Sequence, residues 1–225
     1  ARSVSSCEIP VIFPQETASS ILSLFASCIV GSSIWRKSSY LVGRESSPVA
    51  SSLVTIEDDP FIAKGFGSRP HDGEGLASRR NTVVENGSLR TFLCDLYSAR
   101  KLGRKSTASA ARGAGGGVGP STTNLVLRPI KGASEQDIIA DTKRGLYVTD
   151  MMGFGFNATT GDFSRGASGL WIENGKLTHP VSEVTISLNL DEILKRIDAI
   201  AESFELRSST IAPCFRVSRM TLAGN

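Results

Sequence analysis

Apolar positions recur along this chain with two different periods. Over residues 15–30 they fall at Ala18, Ile21, Leu22, Phe25, Cys28 and Ile29, three and four apart, which lines one face of a helix ending near Gly31. A second stripe, Leu190, Ile193, Leu194, Ile197, Ile200 and Ala201, has Asp191, Glu192, Lys195, Arg196 and Asp198 outside it, and predicts the clearest helix of the chain over 189–204, capped by Asn189. A third helix is predicted over 134–144, where Ser134 and Asp137 form an S-x-x-D start, Ile138 and Ile139 follow, and Gly145 provides the stop. Elsewhere the apolar runs are short and bounded by Gly, Pro, Ser or Asn, so residues 9–13, 35–42, 53–56, 82–84, 124–127, 146–148, 154–156, 170–172, 184–186, 211–217 and 220–224 read as strands. Residues 89–102 fit a short helix or a strand passing into one.

The sharpest turn signal is Asn174-Gly175. With Trp171 and Ile172 before it and Leu177 after it, the pair suits a two-residue type I′ hairpin, because Asn and Gly tolerate left-handed dihedrals. Glu85-Asn86-Gly87, with Val83-Val84 before and Leu89 after, is a short echo of the same pattern. The elements together predict an α+β fold of antiparallel strands with covering helices near 15–30, 134–144 and 189–204.

Composition narrows the function classes only a little. A chain of 225 residues with 7% aromatic and 21% charged residues is ordinary for a soluble globular protein able to bury a sizeable core. The formal charge of +3 does not argue for nucleic acid without a localised patch. Cys7, Cys28, Cys94 and Cys214 are scattered, with no C-x-x-C pair, which fits reduced thiols in a cytoplasmic protein. The longest apolar run, 21–30, is broken by Ser23, Ser27 and Cys28 and is too short to span a bilayer.

Three stretches could carry chemistry. Asp58, Asp59, His71, Asp72 and Glu74 form an acidic, glycine-rich region whose oxygens and imidazole suit a divalent cation, or equally a solvated turn. Arg100-Lys101, Arg104-Lys105 and Arg112 lead into a glycine run at 113–119. No Gly-Lys-Ser/Thr follows it, so it is not a phosphate loop. A nucleic-acid patch would want aromatic residues among the cations, and Tyr97 alone is close in sequence. A loop that holds the backbone or carboxylate of a peptide, or a mobile surface loop, remains. The third stretch is 145–180, where glycines at 145, 153, 155, 161, 166, 169 and 175 punctuate the short apolar runs.

That last stretch carries a resemblance. G-F-N-A-T-T-G-D-F-S-R-G-A-S-G-L-W-I-E-N-G at 155–175, followed by Pro180-Val181 and Thr185-Ile186, resembles the C-terminal part of the TldD/PmbA family, formerly called modulators of DNA gyrase, and within it the PmbA (TldE) branch. The match extends from about Pro10 to Gly224 and includes Glu57-Asp58-Asp59-Pro60, the Asp72-Gly73-Glu74-Gly75 turn, Ser98 to Gly103 and the strand at Asn124. It implies a barrel-like sheet with covering helices, and a chain of 225 residues corresponding to the C-terminal domain without an N-terminal one. The TldD branch resembles a zinc peptidase with an H-E-x-x-x-H helix, two histidine ligands and a glutamate base. Laid without a gap over Gln15-Glu16-Thr17-Ala18-Ser19-Ser20, that motif keeps Glu16 and loses both histidines to Gln15 and Ser20. Cys214 lies in the region where the TldD branch places a further zinc ligand.

The resemblance therefore implies a subunit with no cofactor of its own, paired with a zinc-bearing TldD-type metallopeptidase in a heterodimer, or with itself in a homodimer, and acting on unfolded or leader peptides in proteolysis. Asn157, Thr160, Asp162 and Ser164, polar residues in glycine-bounded turns, are the candidates for substrate binding; such residues also bond to their own loop backbone. Two alternatives stay open. One is an independent metal-dependent peptidase using Glu16 with His71, Asp72 and Glu74, and the other is a binding or regulatory module of the gyrase-modulator type.

Overall fold

A computed structural model describes residues 4–224. The chain runs β1 (Cys7–Phe13), α1 (Gln15–Ile29), α2 (Gly31–Trp35), β2 (Ile56–Asp58), β3 (Asn81–Glu85), β4 (Ser88–Leu89), α3 (Leu96–Lys101), β5 (Ala110–Arg112), β6 (Val118–Pro120), β7 (Leu125–Leu127), α4 (Glu135–Ala140), β8 (Arg144–Met152), β9 (Asp162–Glu173), β10 (Lys176–Asn189), α5 (Leu190–Lys195), β11 (Ile197–Ile200), β12 (Thr210–Ile211) and β13 (Phe215–Ala223). The fold is α+β.

Its centre is a closed barrel. β8, β9 and β10 form an antiparallel meander, β10 pairs with β13, and β13 pairs antiparallel with β1. β1 then closes the ring by pairing parallel with β8, Val11 opposite Leu146. Closure removes the edges of the five strands, which is how a long meander avoids presenting unpaired backbone. β11 extends the sheet along β13, Ile197 opposite Val217. A second sheet, in the order β12-β7-β2-β3-β4, lies beside the barrel, and β5 and β6 make a separate hairpin.

The 15-residue α1 joins the two sheets. Its predicted face is buried throughout, and it packs against β12 of one sheet and against β8 and β1 of the other. Phe13, fully buried at the end of β1, sets its ring 5.4 Å from that of Phe215. One apolar cluster runs through α1, the barrel strands and the second sheet.

Both E-N-G turns fold as expected, with φ of 47° and 81° at Asn86-Gly87 and of 51° and 74° at Asn174-Gly175. At Gly175 an added Cβ would also stand 2.4 Å from the carbonyl oxygen of Ala140. Gly175→Ala should therefore lower stability by about 2 kcal/mol, from the left-handed penalty plus the clash. Thermal unfolding of the variant checks this, and an unchanged Tm would contradict the assigned turn.

Several expected elements take another form. Residues 35–42 are not a strand: α2 ends at Trp35, and turns follow in which Ser39 Oγ donates to the carbonyl of Cys28 and Lys37 adopts a φ of 58°. Of 53–56 only Ile56 enters a strand, and residues 154–156 form the β8–β9 connection with a single bridge, Phe156 to Phe163. Within 89–102, β4 ends at Leu89 and α3 begins at Leu96, capped by Asp95. Residues 211–217 divide between β12 and β13. The helix at 134–144 has the predicted capping box but ends at Ala140, and Gly145 sits inside β8, where a Cβ would meet the carbonyl oxygen of Pro10 at 2.8 Å. The helix at 189–204 stops at Lys195, because Ile197 to Ile200 pair with β13. Ile197 and Ile200 are buried as expected, but as part of a sheet, and Ala201 is buried just past its end.

Candidate functional site

The N-terminal half of α1 offers a polar flank opposite its buried face. Pro14 starts the helix with extended dihedrals, and Gln15, Glu16, Ser19, Ser20 and Ser23, spaced one, three and four apart, form a single ledge. Across from it runs the connection between β11 and β12. A cavity of about 290 Å³ separates the two and is lined by that ledge together with Arg207, Ser208 and Thr210. Ser19 Oγ accepts a hydrogen bond from the backbone N–H of Ala212 at 3.1 Å, tying the ledge to the end of β12.

Gln15 marks the boundary with a second cavity of about 270 Å³, whose lining includes Glu135, Phe204, Glu205 and Cys214. Three residues far apart in sequence, Gln15, Glu135 and Cys214, thus share one space. Tyr147 donates to Glu135 Oε1 at 2.6 Å, and burial raises the phenol's pKa, with the neighbouring carboxylate adding to the rise. Burial likewise pushes the Cys214 thiol well above its ordinary value, and Glu135 adds a smaller push in the same direction.

The polar groups at the positions aligned with zinc ligands are already engaged. The Gln15 amide is held from both sides by the backbone of Glu205, donating to its carbonyl at 2.6 Å and accepting from its N–H at 2.8 Å. Ser20 Oγ donates to the carbonyl of Glu16 at 3.0 Å. Glu16 forms an ion pair with Arg207, which also holds Glu205 at 2.7 Å. A side-chain amide and a hydroxyl at the two positions aligned with histidines fit a zinc ion poorly, since zinc binds imidazole nitrogen, thiolate or carboxylate. Among the described residues no group of three or more His, Cys, Asp or Glu is placed to hold a metal.

The acidic region resolves into loop chemistry. Asp72 Oδ1 accepts from the N–H groups of Glu74 and Leu76, both at 2.9 Å, and Oδ2 accepts from Ala110 at 3.2 Å. Glu74 accepts from the N–H of Leu96 at 2.8 Å, at the first turn of α3. Asp59 takes the N–H of Phe61 at 2.9 Å and pairs with Arg80 at 2.7 Å. His71 is exposed and bridges only to Ala77. Neither cavity beside α1 includes His71, Asp72 or Glu74, so Glu16 is not brought to them there. Asp58 differs from its neighbours. It is 1% exposed; one oxygen accepts from the N–H of Thr123 at 2.6 Å, the other has no partner, and burial pushes its pKa up to about 6.

Asn157 and Thr160, on the β8–β9 connection, and Asp162 and Ser164, at the start of β9, are all exposed. Asn157 Oδ1 accepts from the N–H of Thr159 at 3.0 Å, and Thr160 Oγ1 donates to Asp162 at 2.6 Å. Asn189, the cap of α5, donates to the Thr160 carbonyl at 2.8 Å and to Asp162 at 3.2 Å. Three of the four side chains therefore serve the turn, and Ser164 projects from β9 with no side-chain bond to it. The cavities at α1 do not include these residues. Sequence reasoning did not anticipate Glu205, Arg207, Ser208, Glu135 or Tyr147. No local signal marks them, since Glu205 lies 190 residues from the Gln15 it grips.

Comparison with known proteins gives the family. The family model of the PmbA/TldA metallopeptidase C-terminal domain matches residues 6–224. The chain is 38% identical over 224 residues to the metalloprotease PmbA homolog of Haemophilus influenzae, covering 100% of this chain and 48% of that protein. It is 36% identical over 223 residues to the metalloprotease PmbA of Escherichia coli O157:H7, covering 99% of this chain and 47% of that one. The chain spans about half the length of these curated relatives. The crystal structure of TldE from Thermococcus kodakarensis superposes with a TM-score of 0.89 at 25% identity, covering 98% of this chain and 51% of that one. No helix among the described residues is long and apolar enough to cross a membrane. With a family model matching nearly every residue and whole-chain identity to two PmbA proteins, the chain belongs to the PmbA/TldA metallopeptidase family, in its C-terminal domain.

Proposed function

We propose that this chain acts as the PmbA/TldE-type subunit of a metallopeptidase, without zinc of its own, and that it pairs with a TldD-type subunit to handle unfolded or leader peptides in the cytoplasm. The observation that carries the reading is the cleft beside α1. Gln15 and Ser20 line it with a clamped amide and a helix-bonded hydroxyl, and the buried thiol of Cys214 lines the adjoining cavity that Gln15 shares. In the active branch of the family these positions resemble zinc ligands. Glu16 would serve as a general base only beside a metal-bound water, and here Arg207 occupies its carboxylate. The chain's contribution is then positional: it supplies a wall of a substrate chamber whose chemistry lies on the partner. Asn157, Thr160 and Asp162 hold the exposed β8–β9 connection in shape and, with the free Ser164 hydroxyl beside it, present a polar edge to a peptide.

The test is cleavage of a labelled unfolded peptide by this chain alone and by its mixture with a TldD-type partner, each with and without chelator. Cleavage is expected only in the mixture and is expected to vanish with chelator. Chelator-sensitive cleavage by the chain alone would overturn the assignment and favour the independent peptidase. A mixture that neither associates nor cleaves would favour a non-enzymatic binding module.

A further inference from the structure

The basic segment before the glycine run lacked aromatic company in the sequence, but the fold supplies it. α2 and α3 pack together, bringing the Trp35 ring to 5.9 Å from that of Tyr97, edge to face at 76°. Lys101 Nζ stands 5.8 Å from the Trp35 ring and 5.6 Å from the Tyr97 ring, and the Arg36 guanidinium lies 5.0 Å from Trp35 on its own account. Beside them opens a cavity of about 240 Å³, walled on its far side by Val118, Gly119 and Pro120 of β6.

The charge here is one-sided. Arg36, Lys37, Arg100, Lys101 and Lys105 take part in none of the ion pairs among the described residues. The one carboxylate lining the cavity, Asp95, is 3% exposed and accepts from both the N–H and the hydroxyl of Ser98 as the cap of α3. It is therefore committed to the helix rather than to the cations. Arg36 on the cavity wall and Lys101 beside the two aromatic rings, both outside the ion pairs, give a recess of mixed polar and apolar lining that is complementary to negative charge borne beside an apolar group.

We propose that this recess is a docking site for an acidic peptide segment, with carboxylates against Arg36 and Lys101 and an apolar side chain between Tyr97, Val118 and Pro120. The arrangement favours a peptide over single-stranded nucleic acid. Base stacking needs an open aromatic face, whereas Trp35 is only partly exposed, abuts the edge of Tyr97 and carries the Arg36 and Lys101 cations near its ring. The recess is separate from the cleft that carries the proposed function. It lies past the far end of α1, whose 15 residues make roughly 22 Å of axis, so it does not rest on that reading.

The experiment is fluorescence anisotropy of a labelled peptide alternating Glu with Leu and Phe, titrated with the purified chain. Saturable, salt-sensitive binding is expected, weakened about tenfold by Lys101→Glu or Arg36→Glu and by Tyr97→Ala. Lys176→Glu, an equal charge change at the exposed β9–β10 hairpin, should leave it intact. All four substitutions sit on partly or fully exposed positions, and circular dichroism confirms that each variant is folded. The proposal is overturned if the peptide does not bind, if an alternating Lys peptide binds equally well, if the two charge reversals have no more effect than Lys176→Glu, or if oligo(dT) binds the same residues more tightly.

Discussion

Phe13→Ala is expected to lower the stability of the chain by about 4 kcal/mol. Phe13 is 0% exposed and stands where three structures meet. It ends β1, the strand that closes the barrel against both β8 and β13; its ring packs on that of Phe215; and Pro14, next in the chain, starts α1. Removing a buried phenyl ring forfeits its transfer free energy and leaves a cavity that closed strands cannot collapse to fill, which typically costs 3–5 kcal/mol. Urea unfolding followed by circular dichroism measures the change, as a lower midpoint at an unaltered slope. Leu177→Ala, at a half-exposed hairpin position, should cost well under about 1 kcal/mol by the same assay. A Phe13 variant as mildly affected as that would mean the barrel is not closed through β1.

The second large effect concerns pH. Burial raises the Asp58 pKa from 3.8 to about 6, so the native state binds its proton more tightly than the unfolded chain does. Keeping this carboxylate ionised at neutral pH then costs the fold about 3 kcal/mol. The sign follows from the direction of the shift. The cost is absent below about pH 4, grows as the pH rises towards 6, and is constant above that, so lowering the pH from 7 to 5 should add about 1 kcal/mol of stability through this one group. Asp58→Asn removes the titration while its side-chain oxygen can still accept from the N–H of Thr123. Denaturant midpoints of the two proteins at pH 5 and pH 7 check this: the difference between them should change by about 1 kcal/mol across that interval. A constant difference would mean that Asp58 is not desolvated. The expected slope is opposite to that of a salt-bridged carboxylate, which loses its contribution on acidification.

Both effects concern how the site is held. The barrel and the second sheet present β12 to α1, and the cleft at Gln15 exists because those two elements face each other. The ion pair of Glu16 with Arg207, whose side chains are 60% and 57% exposed, contributes little to stability. Its consequence is chemical, since a guanidinium occupies the one carboxylate on the α1 ledge. The clamped amide of Gln15 and the buried thiol of Cys214 fit the same reading of a cleft that shapes and orients peptide.

What the sequence alone determined was local. The buried face of α1, the capping box at Ser134 and the two E-N-G turns were legible because each is set by side-chain periodicity or by backbone chemistry within a few residues. The family was legible too, in the long unbroken pattern at 155–175. The tertiary structure decided the rest. The stripe at 189–204 satisfies helix periodicity, yet Ile197 to Ile200 became a strand, because pairing with β13 buries the same apolar side chains and satisfies their backbone as well. Residues 35–42 had strand composition but no strand beside them to pair with. Trp35 reached Tyr97, and Gln15 reached Glu205, across 62 and 190 residues of chain that only the closed barrel and its neighbouring sheet bring together. A period reports which face of an element is apolar; which other element covers that face is a property of the packed whole.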